Sequence, residues 1–261
     1  MDNRMEGKVA LVTGGAGGIG SAIARRLAAE GGIVLVADIA MDGAERIAGE
    51  IGNGASAIHF DAYDRESIEA MVRTVIDRHS RLDVLVNNVA DTTLTTLDGN
   101  VLETSVETFD RSIASNLRSI FIATKAALPH LLETKGAIVN ISSGSAIGGD
   151  TWLIAYSSAK SGVLALTRNT AVQFGKQGVR CNSICPGFIA HGRAREMMPD
   201  TLRSVLEVSY VSRNGEPEDI AALATFLASD EAAFINGENV VCDGAHSVGA
   251  TPWRSGAVNP I

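Results

Sequence analysis

Short apolar runs alternate along this chain with longer stretches in which apolar residues recur every three or four positions. Most of the short runs are continuous, which is typical of strands buried on both faces of a parallel sheet. They predict strands at Lys8–Thr13, Ile33–Asp38, Ala55–Asp61, Val84–Asn87, Ala137–Ser142, Val179–Cys185 and Asn239–Cys242. The periodic stretches predict helices at Gly18–Glu30, Asp42–Gly52, Arg65–Ser80, Val106–Leu132, Thr151–Gly175 and Pro217–Ser229. This alternation predicts an α/β fold, a doubly wound parallel sheet of about seven strands with helices on both faces.

Two stretches interrupt this rhythm. Asp91–Ser105 is polar and rich in threonine, and Gly187–Val211 is a long connection between the sixth strand and the last helix. Both follow strand ends, and ligands of open α/β sheets bind beyond the carboxyl ends of the strands. We therefore expect them to form the walls of a substrate pocket and, at 187–211, its lid; ordinary surface loops are the alternative. Because the chain shows no repeat or linker, residues 1–261 are expected to form a single domain.

The composition argues against several classes of protein. With 22 Lys and Arg against 30 Asp and Glu, the formal net charge of −8 is unfavourable for binding nucleic acid or an anionic membrane. The apolar runs are too short to span a bilayer, and the polar first residues predict no signal peptide. The three cysteines lack Cys-x-x-Cys spacing and the five histidines lack ligand spacing. We therefore expect a reduced, cytoplasmic protein without a structural metal.

A glycine-rich turn, Thr13-Gly-Gly-Ala-Gly-Gly-Ile-Gly20, joins the first predicted strand to the first helix. Glycines at such a turn let the backbone approach a pyrophosphate, and the following helix N-terminus supplies N–H donors and a partial positive charge. The run fits two spacings, Gly15-x-Gly17-x-x-Gly20 and Thr13-Gly14-x-x-x-Gly18-x-Gly20. Its strand–turn–helix context predicts a dinucleotide site in a Rossmann-like sheet.

Asp38 ends the second predicted strand, close to the distance from the turn at which an acid accepts hydrogen bonds from ribose hydroxyls. Its carboxylate would repel a 2′-phosphate, and neither Ile39 nor the turn supplies a cation. The expected cofactor is therefore NAD rather than NADP. As an alternative, Asp38 could cap the helix that begins near Asp42. Asp61, at the end of the third predicted strand, is expected either to edge the adenine pocket or to cap the helix after Tyr63.

Tyr156 and Lys160 lie four residues apart in Tyr156-Ser-Ser-Ala-Lys160, thirteen residues after Ser143. On a helix this spacing places the phenol and the ammonium on one face, about one turn apart. Two unit charges about 4 Å apart at an effective dielectric of ~20 interact by about 4 kcal/mol. That energy could lower a phenol pKa from roughly 10 towards roughly 7 before desolvation opposes it. Such a phenol suits proton transfer to or from an alcohol; an ordinary surface pair is the alternative.

Five ordered motifs together resemble those of the short-chain dehydrogenase/reductase (SDR) family, in its single-domain branch. They are the turn Thr13–Gly20, Asn87-Asn88-Val89-Ala90 after the fourth strand, the mid-helix Asn116, Ile141-Ser-Ser143 at a strand end, and Pro186-Gly187 after the sixth strand. The family's segment after the fourth strand reads Asn-Asn-Ala-Gly, so its last two positions are changed here. The resemblance runs from about Lys8 to Gly244, and its ordered motifs make it specific.

The resemblance implies a catalytic set of Asn116, Ser143, Tyr156 and Lys160. In that set Tyr156 is the general acid/base, Lys160 lowers its pKa and binds the nicotinamide ribose, and Ser143 hydrogen-bonds the substrate oxygen. Asn116 would hold a water that links Lys160 to bulk solvent; a solvated surface position is its alternative role. Ser142 is the neighbouring alternative to Ser143. The implied cofactor-binding residues are Gly14, Gly18, Ile19, Gly20, Asp38, Asp61, Ala62, Asn88, Tyr156, Lys160, Pro186 and Ile189.

The chain departs from the family pattern at three places. Ala90 replaces the usual glycine and adds a methyl group near the cofactor. His191 stands where many relatives carry a threonine that contacts the nicotinamide carboxamide, and Ile189 is expected to hold that group through its backbone. We expect His191 either to reach the substrate or to be exposed. The segment between Asn88 and Asn116 is longer than usual, so the resemblance does not define the shape of the pocket.

The resemblance implies reversible interconversion of a secondary alcohol and a ketone by hydride transfer to or from NAD. The alternatives are a 3-oxoacyl-thioester reductase, which would favour NADPH and basic surface residues, and a non-catalytic NAD(H)-binding sensor. A homotetramer is expected by analogy with relatives, through helices Val106–Leu132 and Thr151–Gly175. The tail Ser247–Ile261 is expected to contact a neighbouring subunit or to be disordered. An apolar substrate, or alternatively packing of the lid or a subunit contact, is indicated by Trp152, Leu153, Phe188, Met197 and Met198.

Overall fold

All seven predicted strands are present in the computed structural model, which describes residues 3–249 without the side chain at position 193. The strands are β1 (Val9–Thr13), β2 (Ile33–Asp38), β3 (Ser56–His59), β4 (Val84–Asn87), β5 (Ala137–Ile141), β6 (Arg180–Pro186) and β7 (Asn239–Cys242). β3 is shorter than predicted, so Asp61 lies beyond the strand. β6 runs one residue further than predicted, and a proline is acceptable at that position because it is the last of the strand.

The strands form one sheet in the order β3–β2–β1–β4–β5–β6–β7, and every neighbouring pair is parallel. This confirms the predicted doubly wound architecture. The strand order reverses between β1 and β4, where connections leave to opposite sides of the sheet. In such sheets a crevice opens at the reversal, beyond the carboxyl ends of the strands, and dinucleotides bind there. Thr13 and Asn87 end the two strands that border it.

Helices connect the strands and cover both faces of the sheet. They are α1 (Gly18–Ala29), α2 (Met41–Ile51), α3 (Arg65–His79), α4 (Val106–Ile113), α5 (Ser119–Thr134), α6 (Ile154–Phe174), α7 (Gly192–Met197), α8 (Pro199–Val208) and α9 (Pro217–Ala228). Side chains of a strand alternate between faces, and on β1 Val12 belongs to the core under α1, α2 and α9 while Leu11 belongs to the core under α3 and α5. Continuous apolar strands therefore serve two cores.

Three helical features differ from the predictions. The predicted helix Val106–Leu132 is interrupted by a π-helical turn, Ala114–Arg118, which separates α4 from α5. α6 begins at Ile154 rather than Thr151, because Leu153 has a left-handed backbone with φ of 67°. The predicted lid contains α7 and α8, which the sequence pattern did not indicate because they are short and leave Met197 largely exposed.

The expectations about membrane spans, metal sites, cysteines and the C-terminal tail can be compared only with the residues that the structure describes. Within residues 3–249, no helix is both long and apolar enough to cross a membrane. In the same part of the chain, no group of three or more His, Cys, Asp or Glu side chains is arranged to hold a metal ion. The three cysteines, Cys181, Cys185 and Cys242, are free thiols. Of the predicted tail Ser247–Ile261, residues 250–261 lie outside the described residues.

Candidate active site

The glycine-rich turn contains positions that cannot carry a side chain. Gly14 has a φ of +63°, a conformation that favours glycine, and a Cβ at Gly20 would lie 2.6 Å from the Asn88 Nδ2 atom. A Cβ at Gly18 would lie 2.6 Å from the Cβ of His191. A Cβ at Gly17 would meet nothing nearer than 3.5 Å, which is an ordinary contact. The spacing Thr13-Gly14-x-x-x-Gly18-x-Gly20 is therefore the one whose three glycines are all required by the structure.

Asn88 fastens this turn to the loop that follows β4. Its side-chain amide donates to the carbonyl oxygens of Thr13 (3.1 Å) and Gly14 (3.0 Å). Its backbone N–H donates to the Thr13 hydroxyl at 3.1 Å. These bonds join the loop after β4 to the glycine-rich turn after β1, so Asn88 holds the backbone of the predicted cofactor site in place.

Asp38 faces the same turn from the end of β2. One carboxylate oxygen accepts from the backbone N–H of Ala16 and the other from that of Ala40, both at 3.0 Å. α2 begins at Met41 without a side-chain cap, so Asp38 is bonded to the residue that precedes the helix and to the turn. Among the side chains that the structure describes, none forms an ion pair with the Asp38 carboxylate, whereas Arg25 and Glu50, for example, are paired.

Asp61 and its neighbours form the loop that follows β3. The Asp61 carboxylate accepts from the backbone N–H of Tyr63 at 2.9 Å. The alternative that Asp61 caps the next helix is wrong, because Asp64 is the N-cap of α3 and accepts from Glu66 N. The intervening Ala62 is partly buried and packs against the core on the α3 side of the sheet.

The two candidate catalytic hydroxyls come from different elements. Ser143 follows β5, and its Oγ atom accepts from the Ser145 backbone N–H at 3.2 Å, which begins the short 3₁₀ turn Gly144–Ala146. Tyr156 lies in the first turn of α6, and the Ser143 side chain is close enough to its phenol to lower the pKa of that group. Ser142 is directed elsewhere, because its hydroxyl donates to the Lys160 carbonyl oxygen at 2.9 Å. The geometry thus places Ser143, and not the neighbouring Ser142, beside Tyr156.

Lys160 lies one turn further along α6 and is almost completely buried, with 1% of its surface exposed. Its Nζ atom donates to the Ile141 carbonyl oxygen at 3.0 Å, at the end of β5. The same Nζ atom lies 5.7 Å from the centre of the Tyr156 ring. The predicted helical spacing is confirmed, and it brings the ammonium to the ring of the phenol.

Asn116 occupies the π-helical turn between α4 and α5 and is fully buried. Its side-chain amide donates to the Ser112 carbonyl oxygen at 3.1 Å and to the Ser115 hydroxyl at 3.1 Å. Its Oδ1 atom is buried and has no hydrogen-bond partner in the part of the chain that the structure describes. The prediction that Asn116 is a solvated surface residue is therefore excluded. A buried acceptor without a partner can take a bound water.

Comparison with known proteins decides the family. A family profile described as enoyl-(acyl carrier protein) reductase matches residues 14–246. The chain is 40% identical over 242 residues to meso-2,3-butanediol dehydrogenase of Serratia marcescens, covering 92% of this chain and 95% of that protein. The chain belongs to the short-chain dehydrogenase/reductase family.

Other SDR proteins agree in extent and in shape. The chain is 34% identical over 252 residues to 7alpha-hydroxysteroid dehydrogenase of Bacteroides fragilis, covering 94% of this chain and 96% of that protein. The crystal structure of gox2181 matches with a TM-score of 0.88 at 28% identity, covering 95% of this chain and 98% of that chain. As a member of this family the protein is an oxidoreductase, and SDR dehydrogenases use a nicotinamide cofactor.

The crevice has the features that an SDR protein needs for its dinucleotide. Gly14, Gly18 and Gly20 let the turn pack closely against Asn88 and His191, which a side chain at any of the three would prevent. α1 begins after Gly17 without a side-chain cap, so the first N–H groups of the helix can bind an anion. The Asp38 carboxylate lies at the edge of this turn. The residues present therefore fit the cofactor.

The acidity of Tyr156 differs from the expectation. Burial raises the pKa of the Tyr156 phenol above its ordinary value, and the hydrogen bond with Ser143 offsets part of this rise. Burial lowers the pKa of Lys160 to about 8, with the Cys185 thiol acting weakly in the opposite direction. The predicted net lowering of the Tyr156 pKa is therefore wrong, because desolvation of the phenol outweighs the favourable effect of the nearby Lys160 ammonium on the phenolate.

The connection after β6 carries the remaining predicted cofactor residues. Pro186 ends β6, and Ile189 is buried and paired with Gly215 in an isolated bridge. His191 is half-buried, and its ring packs against Gly18 in the glycine turn. The expectation that His191 is exposed is wrong, because the residue is half-buried beside the turn. That it reaches the substrate stays a prediction. The lid segment and the cofactor turn therefore touch through His191.

Two residues to which the motifs assign no role border the site. The Asp98 carboxylate accepts from the backbone N–H groups of Ala155 and Tyr156 at the start of α6. Asp91 accepts from the Tyr63 hydroxyl at 2.6 Å, across the loops that follow β3 and β4. Both acids lie in the threonine-rich stretch Asp91–Ser105. The unusual length of the segment between Asn88 and Asn116 was the one feature of the sequence that could have pointed to them.

Proposed function

We propose that this SDR protein interconverts a secondary alcohol and a ketone, with NAD as its cofactor and Tyr156 as general acid/base. The observation that carries the proposal is the convergence of Ser143, Tyr156 and Lys160 at the carboxyl edge of β5. Two relatives are named as dehydrogenases of a diol and of a hydroxysteroid, and both substrates carry secondary alcohols. NAD supplies the hydride chemistry when it is bound.

The residues of this chain handle the substrate oxygen and its proton. Tyr156 takes the hydroxyl proton during oxidation and returns it during reduction. Ser143, whose side chain lies beside the Tyr156 phenol, donates to the substrate oxygen and stabilises the negative charge that develops on it. The ammonium of Lys160 favours the phenolate form as the proton moves. A side-chain acid or base placed in this way contributes typically about 10²–10⁴ in rate.

A route for the proton leads from Lys160 towards the π-helical turn. We propose that Asn116 holds a water there, which joins Lys160 to bulk solvent. The unpartnered Oδ1 atom of Asn116 supports this role, because a buried acceptor costs free energy unless it is paired. The π turn itself supports it as well, since such turns occur frequently at functional sites.

Asp38 supports NAD over NADP. Its carboxylate lies at the end of β2 beside the turn, where a ribose is expected, and it would repel a 2′-phosphate. The proposed cofactor-binding set is the one implied by the family motifs, with Asp61, Ala62 and Ile19 as contacts away from the reacting atoms.

Further parts of the proposal concern the whole protein. We propose a single domain whose segment 187–211 is the substrate lid, an apolar substrate, a homotetramer and a cytoplasmic location. Exposed apolar side chains on the lid and on the wall of the presumed pocket support the apolar substrate, among them Trp152 and Met197. The three free cysteines support a reduced compartment.

The test compares Tyr156→Phe with the wild type. The variant is expected to bind NADH with a Kd within about twofold and to lose about 10²–10⁴ in kcat. Binding is followed by nicotinamide fluorescence and turnover by NADH absorbance, with a panel of secondary alcohols that includes a vicinal diol and a hydroxysteroid. Tyr63→Phe is the matched control, because it removes a phenol hydroxyl from a surface hydrogen bond. Unchanged turnover in Tyr156→Phe would refute the acid/base role.

The same assays separate the alternative functions. Turnover of a 3-oxoacyl-thioester with NADPH, at a higher kcat/KM than any simple alcohol with NAD, would favour the reductase. Binding of NADH without turnover of any alcohol, ketone or thioester would favour the sensor. Oxidation of a secondary alcohol by NAD supports the proposed function.

A further inference from the structure

The helix that carries Tyr156 and Lys160 begins without a cap of its own. Its N-cap residue is Leu153, an apolar residue in a left-handed conformation that makes no capping hydrogen bond. The first N–H groups of any helix lack partners inside the helix. Tyr156 is the third residue of α6, so its own N–H is one of these groups. The position of the phenol therefore depends on where the first turn of α6 finds its acceptors.

The acceptors come from the threonine-rich wall segment, more than fifty residues earlier in the chain. Ile154 N donates to the Gly99 carbonyl oxygen at 3.2 Å. Ala155 N donates to Asp98 Oδ1 at 3.1 Å, and Tyr156 N donates to Asp98 Oδ2 at 2.9 Å. The next N–H, that of Ser157, is bonded within the helix to the Leu153 carbonyl oxygen. Every donor of the first turn is thus accounted for, and one carboxylate takes two of them.

Asp98 is itself held in place. Its side chain is largely buried, with 8% of the residue exposed. The Thr104 hydroxyl donates to Asp98 Oδ1 at 3.1 Å, and the backbone N–H of Gly99 donates to the same Thr104 hydroxyl at 2.9 Å. A carboxylate at a helix N-terminus is also favoured by the positive end of the helix dipole. The cap is therefore a built contact and not a chance approach of two loops.

We propose that Asp98 is a positioning residue for catalysis, and this proposal rests on the acid/base role proposed for Tyr156. By accepting from Ala155 and Tyr156, Asp98 holds the first turn of α6 so that the phenol meets Ser143. Lys160 lies in the next turn and is fixed independently, through its bond to the Ile141 carbonyl oxygen. Loss of Asp98 therefore separates the phenol from Ser143 and leaves the rest of the site in place.

The test uses Asp98→Ala, Asp98→Asn and a matched control. Asp64→Ala removes an aspartate that caps α3 through Glu66 N at 2.9 Å on the exposed surface. Asp98→Ala is expected to lower kcat by at least about tenfold, towards the ~10² that a misplacement of about 1 Å costs, with the Kd for NADH within about twofold. Asp98→Asn, which keeps one acceptor oxygen, is expected to recover part of this loss. Asp64→Ala is expected to change stability alone.

A second readout does not require turnover. Hydrogen exchange of the Ala155 and Tyr156 amides is expected to accelerate at least about tenfold in Asp98→Ala and to stay unchanged in Asp64→Ala, because exchange reports local opening. Asp98→Asn serves for both readouts if Asp98→Ala does not fold. A kcat within twofold of the wild type in Asp98→Ala, or an equal loss in Asp64→Ala, would overturn the proposal. If the wild type turns over no alcohol, the proposed function fails, whereas the exchange rates still decide the cap.

Discussion

Tyr156 and Lys160 are both shifted towards their neutral forms, and burial is the cause in each case. A neutral phenol is the form that donates a proton to a ketone, and a lysine with a pKa of about 8 keeps most of its charge at neutral pH. In the oxidising direction the phenolate must form, and the ammonium 5.7 Å from the ring centre is placed to stabilise it. The Tyr156 phenol is thus protonated before the reaction, and the Lys160 ammonium assists the loss of its proton in the oxidising direction.

We propose that the Asp38 carboxylate, which forms no ion pair with a described side chain, sets the preference for NAD over NADP. We expect Asp38→Asn to raise the affinity for NADP(H) about tenfold, which corresponds to about 1.4 kcal/mol of repulsion removed. The amide keeps an acceptor for the Ala16 N–H, so the turn is retained. Equilibrium binding of NADH and NADPH measures the change. Asp42→Asn in the exposed first turn of α2 is the control and should leave both constants unaltered. A wild type that already prefers NADPH would contradict this interpretation of Asp38.

At the scale of elements, the sequence predicted best those strands and helices that depend on a local pattern of apolar residues. Continuous apolar runs marked strands such as β1 and β4, which are buried along their whole length, and all seven predicted strands are present in the sheet. The π turn could not be read in the same way. There the Asn116 amide competes with the backbone for the Ser112 carbonyl oxygen. A single side-chain hydrogen bond does not change the spacing of apolar residues, so the sequence pattern could not predict this turn. The start of α6 was misplaced because Leu153 is a good helix former held outside the helix.

Two helical glycines allow the packing of α6 to be tested. A Cβ at Gly162 would lie 2.6 Å from Leu117 Cδ2, next to Asn116 in the π turn. Because the end of the Leu117 side chain must move to admit this methyl group, Gly162→Ala is expected to gain less stability than the replacement of a helical glycine otherwise brings. Gly49→Ala in α2 meets no atom within 4 Å, and it should stabilise by about 0.5–1 kcal/mol.

Thermal denaturation of both glycine variants checks this contrast. An equal rise in Tm for the two variants would show that α6 and the π turn are not in close contact.

At the scale of the whole molecule, the two edges of the sheet have different tasks. The carboxyl edge collects the glycine turn, Asp38 and the hydroxyls. The amino edge carries ion pairs that hold the start of the chain, above all Arg4 with Glu30 and Lys8 with Asp230. Glu30 is 1% exposed and also binds Arg26. Stability and chemistry are therefore placed at opposite ends of the strands.

The Glu30 cluster predicts a dependence of stability on pH. The hydrogen bond from Arg4 lowers the pKa of Glu30 against the effect of burial, and the bond from Arg26 adds to it. Because the folded pKa lies below the unfolded value, this stabilisation is complete above roughly pH 4.3 and is lost as the pH falls through the folded pKa. Glu30→Gln is expected to cost about 2 kcal/mol at pH 7 and to flatten the loss of stability in acid.

Urea denaturation between neutral and acidic pH measures this effect. The control is Glu50→Gln, which also removes a partner of two arginines, Arg25 and Arg46, but on the surface. Exposed pairs contribute little, so Glu50→Gln should cost much less stability than Glu30→Gln. Equal costs for the two variants would show that the burial of Glu30 is unimportant.

The candidate site was predictable where a motif is contiguous and hidden where contacts join distant segments. The spacing from Ser143 to Tyr156 and the four-residue step to Lys160 are visible in the sequence, and the structure brings these groups together. The direction of the Tyr156 pKa was not visible, because it depends on how deeply the phenol is buried. Asp98 was equally hidden, since its partners lie 57 and 58 residues away.

The cap that Asp98 provides for α6 has a consequence for the conditions under which this enzyme is active. With the proposed role of Asp98, the sheet alone does not position the phenol, and the polypeptide around Asp98 must also be docked. A proteolytic cut that undocks this segment would leave the β-strands and the dinucleotide cleft in place and yet slow the reaction. Foreign loops grafted here to change substrate preference must therefore carry a carboxylate of matching reach, or accept a loss of kcat like that expected for Asp98→Ala.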